Sequence, residues 1–121
     1  GFHPGFFMYG EDADLCLRAE RLGARPRVCP AATIVHHGGA SERVRSDKMV
    51  RLFSAKAQLF RIHWGRGRGW LGVRLLDLWA VHRIVGFTLL RRQEDLDQWR
   101  EIWRRRGKWR AAFQNVCEPR S

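Results

Sequence analysis

The sequence predicts a mostly α-helical chain with a small β component near its N-terminus: an α/β fragment of one helix and two short strands, followed by about three amphipathic helices. Three observations carry this. Apolar residues recur at helical spacing in several separate stretches. Two short strand candidates, the second rich in β-branched residues, lie between Gly and Pro breakers. The 121 residues, 45% of them hydrophobic, suffice for one small folded unit and exclude a disordered chain.

The elements follow in order. Gly1, Pro4 and Gly5 open a loop, and Phe6 to Tyr9 form a short apolar run. A helix begins at Glu11 or Asp12, where carboxylates favour the positive end of the helix dipole and Asp12 or Gly10 can cap it. Leu15, Ala19 and Leu22 keep helical spacing, and Gly23 is a natural stop. Residues 25–29, ended by Pro30, are the first strand candidate, and residues 32–36 the second, ended by Gly38-Gly39. A long helix is expected over 44–64, with Met49, Leu52, Phe53, Leu59 and Phe60 on one stripe. Gly65-Arg66-Gly67-Arg68-Gly69 reads as a flexible basic linker. Residues 70–90 are strongly apolar, but Arg74, Asp77, His82 and Arg83 interrupt them. A membrane span needs about 20 residues largely free of charge, so this stretch reads as a packed or interfacial amphipathic helix. The last helix is expected over 93–113, with Leu96, Trp99 and Trp103 on one face. The division falls between 1–43, which carries the site-like residues, and 44–121, a basic, Trp-rich helical region.

Net charge is +11 and uneven: residues 1–60 carry +3 and residues 61–121 carry +8. A basic half fits an anionic partner, and nearly all of its cations are Arg, suited to bidentate phosphate contacts and to snorkelling at an interface. Neither a zinc-ligand set nor a base-stacking platform is present, which argues against nucleic acid. Cys16, Cys29 and Cys117 have no metal-ligand spacing and read as packed, reduced thiols.

Two clusters can do chemistry. Glu11-Asp12-Ala13-Asp14 puts three carboxylates in the first turn of a helix. Asp12 there suits a general base that takes a proton from an alcohol. The same acids also suit a purely structural role on the helix dipole. His36-His37 is the second cluster. In a strand only one of the pair faces a given site, as a metal ligand or phosphate partner, and a structural role is equally open.

Taken together, the run from Gly5 to Arg18, then Gly23, Pro30-Ala31-Ala32 and Val35-His36-His37-Gly38-Gly39-Ala40-Ser41, resembles the C-terminal part of bacterial family-two glycosyltransferases, in particular a rhamnosyltransferase-like branch that builds surface polysaccharides. The resemblance covers about residues 1–65, including Leu59-Phe60-Arg61 and His63-Trp64-Gly65; residues 66–121 carry no matching motif. It implies the C-terminal edge of a GT-A domain and inverting transfer of a sugar from a nucleoside-diphosphate donor to a hydroxyl of a lipid-linked glycan acceptor. Asp12 matches the family's catalytic base. Glu11 and Asp14 match acidic positions that contact or place acceptor, and His36, or else His37, matches a histidine that completes the metal site in some members. The implied cofactor is Mn²⁺ or Mg²⁺, with an imidazole ligand favouring Mn²⁺.

The resemblance also implies that the nucleotide-binding half, with its Asp-x-Asp motif, lies upstream. Gly1 falls inside a motif, so the chain reads as a piece of a longer enzyme that would not turn over alone. The expected location is the cytoplasmic, inner face of the bacterial plasma membrane, held peripherally through the basic, Trp-rich helices. The alternative reading is a non-enzymatic basic helical module that binds nucleic acid or an anionic membrane.

Overall fold

The computed structural model describes residues 1–6, 8–25, 27–35 and 45–116. Four helices occur in order: α1 (Glu11–Arg21), α2 (Arg45–Leu89), α3 (Gln93–Arg104) and α4 (Gly107–Gln114). No strand occurs among the described residues, so the expected α/β character with two strand pieces of a GT-A edge is wrong for this chain. The described parts of both strand candidates run as irregular backbone with one turn, closed by the Ala32 N–H bonding the Cys29 carbonyl at 3.1 Å. A strand needs a neighbouring strand to take up its backbone groups, and none is present among the described residues. Val28, Ile34 and Val35 are accordingly exposed: β-branched composition alone does not make a ladder.

α1 forms as the pattern predicts. Glu11, Asp12 and Asp14 lie in its first turn and Arg18 and Arg21 in its last, both favourable to the helix dipole. Gly10 enters it at φ 86° and Gly23 follows it at φ 82°, backbone that side-chain-bearing residues rarely adopt.

α2 is two helical arms broken at Gly65, the one residue inside it with non-helical backbone (φ 73°, ψ −170°). The expected linker over 65–69 is therefore a single-residue hinge, and Gly67 and Gly69 belong to the second arm. Packing overrides their poor helix propensity. A Cβ on Gly69 would lie 2.7 Å from the Phe60 carbonyl oxygen, and one on Gly72 would lie 2.6 Å from the Phe60 ring. The missing side chains let the second arm fold back against the first.

α3 and α4 close over this hairpin. The core joins Val50, Phe53 and Ala57 of the first arm to Val73, Leu76, Ala80 and Phe87 of the second, with Leu96, Trp99 and Ile102 of α3 and Trp109 of α4. Phe53 is its hub: its ring centroid lies 5.1 Å from Trp109, 5.4 Å from Trp79 and 6.5 Å from Trp99. The single helix expected over 93–113 is two, divided at Arg105–Arg106. The break turns the fully buried Trp109 inward, where its indole N–H donates to Asp77 Oδ1 at 3.0 Å. Asp77 is itself buried, and its Oδ2 accepts from Arg110 at 2.7 and 3.2 Å and from Arg74 at 3.3 Å. This carboxylate ties α4 to the second arm. Cys16 and Cys29 are free thiols but exposed rather than packed as expected.

Candidate functional site

The head of α1 lies against the first arm of α2. The approach is an unusual turn: Tyr9 at φ 70° and Gly10 at φ 86° are consecutive left-handed residues. For Tyr9 this is a strained conformation of the kind that clusters at functional sites. Gly10 is required twice over, because a Cβ there would come within 3.2 Å of the Phe6 ring and 3.3 Å of Leu59. Gln58 donates to the Gly5 carbonyl at 3.3 Å and fastens the preceding loop to the same arm.

Between the two elements is a cleft of about 290 Å³, lined by Tyr9 to Ala13 on one side and by Leu52, Ala55, Lys56 and Leu59 on the other. Asp12 is exposed at this cleft, with one carboxylate oxygen accepting from the Ala13 N–H at 2.7 Å. Glu11 lines it too, and its Oε2 is buried without a hydrogen-bond partner. A buried, unpartnered carboxylate oxygen is costly unless something supplies a donor, and a hydroxyl in the cleft would do so. Lys56 gives the cleft a cation opposite the acids and lies 5.4 Å from the centre of the Trp79 ring.

Asp14 is placed differently. It is fully buried, and its two oxygens are engaged within the chain: Oδ1 accepts from His63 Nε2 and Oδ2 from Arg18 Nε, each at 2.9 Å. Arg18 also donates to the Gly1 carbonyl at 2.7 Å. Burial pushes the Asp14 carboxyl up, but the hydrogen bonds and charges of His63 and Arg18 outweigh it and hold the group below its ordinary value. The His63 side chain is 3% exposed, and its Nδ1 is buried without a partner. The pair pins the first turn of α1 to the end of the first arm. The structure thus brings Glu11 and Asp12 together at a cleft and turns Asp14 away from it. Sequence reading singled out all three acids but gave His63 no role, since a partner 49 residues away leaves no local signal. Lys56 was missed for the same reason.

His36 and His37 lie outside the described residues. Among the described residues no group of three or more His, Cys, Asp or Glu side chains is placed to hold a metal ion. No step below passes through a divalent ion.

A carboxylate pair at the head of a helix, one member exposed and one with a free buried oxygen, opposite a lysine, is an arrangement able to bind a hydroxyl and take its proton. Comparison with known proteins gives a glycosyltransferase-like relationship. The chain is 41% identical over 51 residues to the rhamnosyltransferase WbbL of Escherichia coli strain K12, a match covering 42% of this chain and 19% of that protein. The chain thus spans about a fifth of the length of that relative. No family profile matches the chain, and no solved structure does.

Proposed function

We propose that the chain is the acceptor-side segment of an inverting, family-two glycosyltransferase of the rhamnosyltransferase kind, with Asp12 as general base. The observation that carries this is the cleft shared by Asp12 and Glu11 at the head of α1, in a chain with a glycosyltransferase-like match. In the proposed reaction the unpartnered Glu11 oxygen receives a hydrogen bond from the glycan acceptor and orients it. The reacting hydroxyl passes its proton to the Asp12 carboxylate as its oxygen bonds to the anomeric carbon of the sugar. The bond from that carbon to the nucleoside diphosphate breaks on the opposite face, and the diphosphate leaves with the electron pair. Residues outside this segment hold the donor. The strained Tyr9-Gly10 turn and the Asp14–His63 anchor fit a need to hold Asp12 in one place, since base catalysis depends on hydrogen-bond reach to the reacting proton.

The test is Asp12→Asn in the complete enzyme, assayed for sugar transfer. The expected result is a fall in kcat of about 10²-fold or more, with an unchanged melting temperature because Asp12 is exposed and makes only a local contact. Transfer at the normal rate by this variant overturns the assignment.

A further inference from the structure

The second arm of α2 has two apolar faces, and only one is used by the fold. Val73, Leu76, Ala80 and Phe87 face the core. On the opposite side Leu71, Leu75, Leu78, Val85 and Leu89 recur at spacings of three, four and seven, with His82 in register among them. They are 56%, 58%, 63%, 52% and 78% exposed. Scattered exposed leucines are ordinary, but a continuous stripe marks an interaction surface. This one runs about 27 Å along the helix at ~1.5 Å per residue.

The charges around it select the occupant. Between residues 61 and 92 there are seven Arg and one acid, Asp77, and Asp77 is buried on the core side. The outward half of this arm therefore presents no carboxylate. Arg68 and Arg74 flank the stripe on either side by helical position, and Arg91 and Arg92 follow its C-terminal end. Arg74 lies 4.9 Å from the centre of the half-exposed Trp70 ring. A second copy laid on this face would bring Arg and His against the same groups, with no acid to meet them. Anionic headgroups do meet them, while the Leu and Val side chains enter the acyl boundary and Trp favours the interface. No helix among the described residues is long and apolar enough to cross a membrane, which leaves a helix lying in the membrane surface.

We propose that the face of α2 formed by Leu71, Leu75, Leu78, Val85 and Leu89, edged by Arg68 and Arg74, docks in plane on a lipid surface carrying anionic headgroups. The proposal stands on this face alone and holds whether or not the chain transfers sugar.

The test is co-sedimentation of the protein with vesicles of phosphatidylcholine, alone and mixed with phosphatidylglycerol, with tryptophan emission followed in parallel. Preferential binding to the anionic vesicles, weakened by salt and accompanied by a blue shift, is expected. Leu75→Glu with Leu78→Glu is expected to weaken it at least tenfold, roughly what removing two buried leucines implies. Both sites are exposed, so the far-UV circular dichroism should not change. Arg68→Ala with Arg74→Ala should reduce the preference for anionic vesicles and leave the apolar contribution. Absence of vesicle binding, equal binding by the glutamate variant, or a lipid-free dimer that this variant splits into monomers would each overturn the proposal.

Discussion

Asp14 and His63 hold α1 in place, and a double-mutant cycle measures how strongly. Asp14→Ala removes a fully buried carboxylate and leaves the His63 imidazole, 3% exposed, with neither ring nitrogen partnered. Arg18 loses this carboxylate but keeps the Gly1 carbonyl, and its side chain, 37% exposed, can turn to water. A hydrogen bond to a charged acceptor, together with an orphaned buried ring nitrogen, amounts to about 3 kcal/mol. His63→Ala should cost about 2 kcal/mol, because Asp14 keeps Arg18, and the double variant should cost less than the two together by about 1–2 kcal/mol. α1 contributes nothing to the main apolar core, so the loss should appear first as local undocking. Hydrogen exchange of the α1 amides reads that directly, beside a urea melt that reports α2 to α4.

The pH dependence has a definite sign. The Asp14 carboxyl is held below its ordinary value of 3.8. Its contribution is therefore complete above the ordinary carboxylate range and is lost as pH falls through the lowered native value. Asp14→Asn should flatten this acid limb of α1 protection. A coupling near zero, or α1 protection unchanged in Asp14→Ala, would refute the anchoring role.

Two further perturbations probe the scaffold. Asp77→Ala strips the buried Trp109 indole N–H and Arg110 of their shared acceptor, and should lower unfolding free energy by about 2–4 kcal/mol in a urea melt; unchanged stability would show that α4 docks by apolar contact alone. Gly72→Leu drives a side chain into the Phe60 ring and should cost at least about 1–3 kcal/mol by overpacking, whereas the same change at exposed Gly67, where a Cβ meets nothing within 4 Å, should leave the melt nearly unmoved.

The local parts of the fold were legible because their causes are local. α1 was readable from its acidic first turn and from Gly23, and α3 from Leu96 and Trp99. The glycines after Trp64 misled because glycine serves two purposes: Gly65 breaks the helix, whereas Gly69 and Gly72 let two arms touch. Only the partner, Phe60, tells these apart. The β-branched run at 32–35 misled because a strand is a property of a pair. In the site, Asp12 and Glu11 were visible as acids in a first turn. The burial of Asp14 was not, since it depends on His63, 49 residues along the chain on another helix.

The most direct test of the central claim is a sugar-transfer assay on the complete enzyme containing this segment, run with Asp12→Asn beside the wild type and a panel of nucleoside-diphosphate sugars. Transfer by the wild type, lost in the variant while its melting temperature is unchanged, is the predicted result. Full transfer by Asp12→Asn, or no transfer by a folded wild-type enzyme with any donor in the presence of a glycan acceptor, would contradict it.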